Sequence, residues 1–292
     1  MASVRPLVIA LVLTGLGVGC TTIPAERGPG PAPDAIPAPF DHALLDAVLA
    51  AHVDDRGRVD YAGLARDRAD LDAYYARLAA VSPDSHPALF PTEADRLAYW
   101  INAYNATVIV VVLHHYPIAS VRDVGYPMFF FYPLAGFFYV QRVELGGERT
   151  NLYDLENRII RGRFDDPRIH FALNCASISC PRLPARAFHP ETLDAQLDAE
   201  TRRFVSEARN VDVDPEAREV TLSAIFDWYE DDFTGWLSRH RPDHDPTLPG
   251  YVSLYLSPER ARALAGCGDC ETRFADYDWG LNDQRAPGPP SD

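Results

Sequence analysis

The stretch PTEADRLAYWINAYNATVIVVVLHHY, residues 91–116, decides the fold. Thr92 stands where a helix N-cap belongs, and Glu93 and Asp95 follow in the first turn, where acids favour the partial positive charge of a helix start. Pro117 ends the run, because its ring clashes with a preceding turn. From 98 to 113 the side chains are apolar nearly all round, and a helix without a polar face belongs inside a protein. Charges at Glu93, Asp95 and Arg96 and the pair His114-His115 limit the apolar run, so the pattern predicts a buried central helix rather than a membrane span. Asn102 and Asn105 lie three apart on it and share a face. Each buried carboxamide costs about 1–3 kcal/mol unless it is hydrogen-bonded. Their partners are either loop backbone or a ligand, and the expectation carried forward is a polar pocket that both help to floor.

On the N-terminal side, apolar residues recur at helical spacing over 41–53 (Leu44, Leu45, Val48, Leu49) and 67–81 (Leu71, Tyr74, Tyr75, Leu78). On the C-terminal side, 137–145 reads as a strand, Gly146-Gly147 as a turn and 148–150 as the return strand. Asn151 can cap a helix running through Arg161. The segment 168–174 reads as a short strand, 191–208 as a helix, 219–222 as a strand, and 224–238 as an aromatic-rich helix. Helices first, then strands, then a mixture imply an α+β fold: a helical body with a long buried central helix packed on a small, mainly antiparallel sheet. Residues 40–282 form one domain on this reading, without internal repeats.

The ends carry a different signal. Residues 1–19 hold Arg5 and then an uncharged, mostly apolar run from Leu7 to Gly19, the layout of a secretory signal peptide. The run closes in Leu16-Gly17-Val18-Gly19-Cys20, which resembles a bacterial lipoprotein signal and implies lipidation of Cys20. Six prolines between Thr21 and Pro39 favour extended polyproline structure, so 20–39 reads as a tether to a membrane. Thr21, rather than Asp, after the cysteine implies the outer membrane facing the periplasm, by the same resemblance. The tail 283–292, with Pro287, Pro289 and Pro290, reads as disordered.

Composition removes several function classes. The 292 residues carry a net charge of −15, which argues against holding nucleic acid by phosphate neutralisation. All 27 basic residues are Arg, so neither Schiff-base chemistry nor a P-loop lysine is available. No cofactor is expected.

The segment from 169 to 181, IHFALNCASISCP, concentrates reactive side chains. Three readings of it stay open. Cys175 is a catalytic thiol, with His170 as the tempting base. If 168–174 is a strand, however, the five steps between them span roughly 16–17 Å and turn the two side chains to opposite faces. His189, His114 or His115 could then supply the base. Alternatively Cys175 and Cys180 form a disulfide, as an oxidising compartment permits. A zinc site of His170, Cys175, Cys180 and a later cysteine fits no standard spacing. Cys267 and Cys270 form a second close pair, read as a disulfide. Glu156, on the helix before His170, either faces the same region or is solvated. The aromatic segments 129–133 and 137–139 read as core, with an exposed lipid- or peptide-binding surface as the sharper alternative.

Taken together, AYWINAYNA at 98–106, LENRIIR at 155–161, HFALNCAS at 170–177, SCPRL at 179–183 and YDWGLN at 277–282 resemble the domain-of-unknown-function 547 (DUF547) family, in that family's order. Such proteins occur in bacteria, secreted or lipid-anchored, and in plants and animals, and the resemblance implies no established activity. The family's pattern usually has His where this chain has Asn157. The expectation is a cell-envelope lipoprotein with a pocket lined by Asn102, Asn105, Asn174, Glu156, His170 and Cys175. It acts either as a thiol-dependent hydrolase or transferase on peptide or envelope material, or as a non-catalytic binding or scaffolding protein with a Cys175–Cys180 disulfide.

Overall fold

A computed structural model describes residues 22–24, 32–125 and 134–285. The expected signal peptide, Cys20 and the aromatic run 129–133 lie outside the described residues. Helices α1 (Ala43–His52), α2 (Tyr61–Leu64) and α3 (Ala69–Ala80) precede α4 (Glu93–His115). The hairpin β1 (Val143–Leu145) and β2 (Glu148–Thr150) follows. Then α5 (Leu152–Asp154), a π-helical turn (Leu155–Ile160) and α6 (Arg161–Arg163) succeed one another without a break. After them come α7 (Leu193–Ser206), β3 (Val211–Asp214), β4 (Glu219–Ser223), α8 (Ala224–Trp228), α9 (Glu230–His240), α10 (Leu248–Ser253), α11 (Pro258–Cys267) and β5 (Glu271–Ala275). The class is α+β.

Helix α4 starts as its sequence dictates. The Thr92 hydroxyl accepts the Asp95 backbone N–H at 3.1 Å, and the Asp95 carboxylate accepts the Thr92 N–H at 2.8 Å, a reciprocal capping box. Every residue from 97 to 113 is buried. By length and composition α4 could cross a membrane, yet here it is the core helix of a folded domain. It packs against α3, α5 and the π-helical turn. A second core cluster lies around Phe171, Phe204, Phe226 and Phe233. It includes the three-stranded sheet, in which β4 pairs antiparallel with β3 and parallel with β5.

Three expectations are corrected. Residues 168–174 are not a strand. A 3-10 turn, Pro167–Phe171, replaces it, with Pro167 in its first turn and the Asp166 carboxylate accepting the Arg168 N–H at 3.0 Å. Ile169 and Ala172 pack in the first cluster and Phe171 in the second, a three-residue spacing that alternation cannot supply. The strand expected from 137 starts only at Val143, because Gly136–Val140 form a π-helical turn. A Cβ on Gly136 would overlap the Val124 carbonyl oxygen, so this close approach requires glycine. Finally, the tether and tail are partly docked. Ile23 and Ile36 are buried, and the Ile23 N–H donates to the Arg142 carbonyl at 2.7 Å. Asp283 accepts a bond from the Tyr116 hydroxyl at 2.7 Å, and Gln284 N–H donates to Val59.

His42 makes acid sensitivity part of this core. Burial, helped by His189, pushes its imidazole down to about 4, and its Nδ1 lies 2.7 Å from the Tyr74 hydroxyl. The unfolded chain therefore binds the extra proton first as pH falls below about 6.5. Stability should drop by about 2–3 kcal/mol between pH 7 and pH 4.5 from this group alone. Urea unfolding at the two pH values tests it. His42→Gln should flatten that part of the slope, and an unchanged slope would exclude His42 as its source.

Candidate functional site

The Cys175 loop is held from two sides. From α4, the Asn105 Nδ2 donates to the Ala172 carbonyl at 2.9 Å, and its Oδ1 accepts the Asn174 N–H at 2.8 Å. From the C-terminal segment, Ile178 N–H donates to the Gly280 carbonyl, Ser179 N–H to the Asp278 carbonyl and Asn282 N–H to the Ala176 carbonyl. Asn174 ties its own loop together, donating to the Pro181 carbonyl at 2.7 Å and accepting the Ala176 N–H at 3.0 Å. Ala176 has φ 63°, left-handed for a residue with a Cβ, and so this clamp holds strain next to the thiol.

A cavity of about 410 Å³ opens beside this loop. Cys175, Cys180 and His170 line it, together with Glu156 and Arg161 from the helical stretch after β2. Tyr104 of α4 and the aromatic residues Trp228, Tyr229, Tyr277 and Trp279 complete much of its wall. A π-helical turn widens the helix at 155–160, and such turns are frequent at functional sites.

Cys175 and Cys180 are free thiols, so the disulfide expected as one alternative is absent between them. The Cys175 N–H donates to the Cys180 sulfur at 2.7 Å. The Cys175 sulfur lies 3.2 Å from the Tyr277 hydroxyl. Burial pushes the Tyr277 phenol well above its usual range, so its O–H is retained and is the donor whenever the sulfur is a thiolate; with the neutral thiol either group can donate. Burial pushes the Cys175 thiol up, but hydrogen bonds from Cys180 and Tyr277 outweigh it and hold the thiol below its ordinary value. The buried Cys180 moves the other way. Cys175 is therefore the more easily ionised of the two.

His170 and Cys175 line one cavity, which a strand would not have allowed. No hydrogen bond joins them, and neither His114, His115 nor His189 lines the cavity. His170 Nε2 instead bonds Asp232 of α9 at 2.7 Å, and its ring stacks on Tyr229 with centroids 4.0 Å apart. Burial lowers the imidazole despite the Asp232 carboxylate, keeping it neutral near pH 7. Arg161 grips the same carboxylate through Nε at 2.7 Å and Nη2 at 3.1 Å and lies over the Tyr229 ring. Burial opposes ionisation of Asp232, yet bonds from His170 and Arg161 hold its carboxyl well below the usual carboxylate range. Glu156 accepts the hydroxyls of Tyr104 at 3.1 Å and Tyr229 at 2.5 Å.

Asn102, Asn105 and Asn174 are not in the cavity wall, which corrects the pocket expected from sequence. Asn102 bonds the Phe188 backbone through both ends of its amide, at 2.8 and 2.9 Å. Loop backbone, not ligand, satisfies both α4 carboxamides. Tyr104 stands one residue from Asn105, about 100° round the helix, and faces the cavity instead. Sequence reasoning also missed Arg161, Asp232, Trp228, Tyr229, Tyr277 and Trp279. Three of them lay in the motifs that carry the family resemblance: Arg161 in 155–161, and Tyr277 and Trp279 in 277–282. Among the described residues no group of three or more His, Cys, Asp and Glu could hold a metal ion, so the zinc reading falls. Cys267 and Cys270 are disulfide-bonded, away from the cavity wall.

Residues 90–205 match the family model described as "Protein of unknown function, DUF547". No curated protein and no solved structure matches the chain. The matched segment contains Tyr104, Glu156, Arg161, His170, Cys175 and Cys180. Trp228, Tyr229, Asp232, Tyr277 and Trp279 come from chain beyond it.

Proposed function

We propose that this protein is an exported lipoprotein, anchored in the outer membrane through Cys20 and facing the periplasm, that performs thiol-dependent acyl hydrolysis or transfer on peptide or envelope material. The observation that carries the chemistry is a free thiol, held below its ordinary pKa, at the wall of a cavity that His170 also lines. The anchor rests on the signal-like residues 1–19 and the cysteine that follows them.

The steps follow from the residues. His170 Nε2 is committed to Asp232, which leaves Nδ1 as the nitrogen able to exchange a proton. The Cys175 thiol proton passes across the cavity, through an intervening water, to neutral His170 as the sulfur attacks an acyl carbon. A C–S bond forms, and the leaving amine or alcohol departs with the proton from His170. Water or an acceptor nucleophile then attacks the thioester and loses its proton to His170; the C–S bond breaks, and the departing sulfur takes that proton back from His170 to restore the thiol and the neutral imidazole. Tyr277 steadies the thiolate through its O–H.

Thiol titration of the native, unreduced protein tests the reading. Alkylation should be fast at Cys175, with an apparent pKa below that of an ordinary thiol. Tyr277→Phe removes a donor to the thiolate, so the pKa should rise and the rate at neutral pH should fall several-fold. Cys175→Ser should abolish turnover and leave the melting temperature nearly unchanged. A native protein with no titratable thiol, or a Cys175→Ser variant that mainly unfolds, would overturn the proposal.

A further inference from the structure

Glu156 has a position that thiol chemistry does not explain. Its two oxygens take hydroxyl bonds from Tyr104 and Tyr229, and no Arg or His lies within salt-bridge distance of it among the described residues. Arg161, the cation that lines the cavity, feels the Glu156 charge but is committed to the Asp232 carboxylate by two bonds. His170 is neutral near pH 7. Asp232 does not itself line the cavity but takes up the Arg161 guanidinium, which leaves the Glu156 carboxylate without an ion-pair partner of its own in a cavity whose walls are largely aromatic. A carboxylate held by hydroxyl bonds alone, among aromatic walls, is a ready counter-ion for a cation bound beside it.

The walls suit a particular kind of cation. Trp228, Tyr277 and Trp279 form a continuous aromatic group, with Trp228 4.7 Å from Tyr277 and 5.7 Å from Trp279, centroid to centroid. Trp228 is 46% exposed, so part of its surface remains uncovered. The negative face of an aromatic ring attracts cations, and ammonium groups bind well where several rings meet a carboxylate. Two rings of the cavity wall already hold a cation: Arg122 sits over Trp279 at 5.7 Å and Arg161 over Tyr229 at 4.6 Å.

We propose that the cavity recognises an ammonium group on its ligand, with Glu156 as counter-ion and Trp228, Tyr277 and Trp279 as aromatic walls. The ammonium is carried by the acyl substrate of the preceding section, and to that extent the inference rests on that reading. Its recognition step can be measured without turnover. A primary ammonium, such as the free amino end or an amino side chain of a peptide, and a quaternary ammonium, such as a lipid headgroup, share this chemistry.

The test uses the full chain bearing Cys175→Ser, so that no covalent step occurs. Choline, its neutral isostere 3,3-dimethylbutan-1-ol, and methylammonium are titrated at constant ionic strength, with binding read by tryptophan fluorescence and calorimetry. Choline or methylammonium should bind saturably, and the isostere at least tenfold more weakly. Preference between the two cations identifies a quaternary or a primary source. Glu156→Gln should weaken cation binding tenfold or more. Should that variant fail to fold, Trp228→Ala, at an exposed position, should weaken it several-fold. Equal binding of choline and the isostere, no saturable binding of either cation, or undiminished affinity in a folded Glu156→Gln protein would sink the inference. A cation that binds while Cys175 proves inert to alkylation would overturn the thiol reading alone.

Discussion

Asn105→Leu is expected to destabilise the protein by about 2–6 kcal/mol, a large share of the about 5–15 kcal/mol that holds a typical domain folded. The amide spans two backbone groups, the Ala172 carbonyl and the Asn174 N–H, and both are buried with it. Leucine is close in size but satisfies neither, and each orphaned group costs about 1–3 kcal/mol. The same bonds position the residues on either side of the 3-10 turn's exit, immediately before Cys175. A folded Asn105→Leu protein should therefore also lose alkylation rate at Cys175. Asn102→Leu provides the contrast. It leaves the Phe188 carbonyl and N–H unpaired, at similar energetic cost, but the Phe188 turn carries no residue of the cavity wall. Urea unfolding of both variants, with alkylation kinetics of the folded fraction, separates stability from positioning. Equal loss of reactivity in the two would show that Asn105 has no special hold on the thiol. A cost below about 1 kcal/mol would show that water or a local shift satisfies the freed groups.

What could be read from sequence was what local physics determines. Thr92 and Asp95 set the start of α4, and an apolar surface on every side sets its burial. Asn151 caps the next helix by accepting the Asp154 N–H at 2.7 Å, and Gly146-Gly147 turn the hairpin with positive φ at both residues. The Cys267–Cys270 bond required only two thiols three residues apart. By contrast, 168–174 misled because every second side chain there is bulky or apolar, whether the backbone is extended or coiled. The 3-10 turn wins because Pro167 and Asp166 nucleate it and because Phe171 must reach a different core from Ile169. Strand β5 stayed hidden for another reason: Glu271, Arg273 and Phe274 are exposed, so the strand lacks a buried face to announce it.

The candidate site was half legible for the same reason. Cys175, His170 and Glu156 stand out as residue types and do line one cavity. Asn102 and Asn105 stand out equally, yet a buried amide on a helix is as well served by a neighbouring loop as by a ligand. No periodicity distinguishes the two outcomes. Asp232 and Tyr277, 62 residues beyond His170 and 102 beyond Cys175 in sequence, come into place only when the second cluster docks on the first.

Asp232→Ala should cost about 2–3 kcal/mol at pH 7, less than the roughly 3–5 kcal/mol of a fully buried pair, because the carboxylate is 31% exposed. Its removal strands two donors at once, the Arg161 guanidinium and His170 Nε2. The pH dependence has a definite sign. The folded carboxyl titrates below its unfolded value, so the unfolded state takes up the proton first as pH falls. The contribution of Asp232 is therefore complete above about pH 5 and is lost as pH drops through the ordinary carboxylate range, near pH 4, and below it. The urea midpoint difference between wild type and Asp232→Ala should accordingly shrink from pH 7 to pH 3. Asp232→Asn separates orientation from charge. An amide presented to His170 Nε2 as a donor draws the ring proton to Nδ1, so the nitrogen left to accept a proton in the wild type becomes occupied. Ring nitrogen chemical shifts should report that exchange, with the protonated nitrogen moving from Nε2 to Nδ1 while the fold persists. If the tautomer stays as in the wild type, Asp232 serves the ion pair with Arg161 and does not orient His170, and the proton path through Nδ1 loses its support.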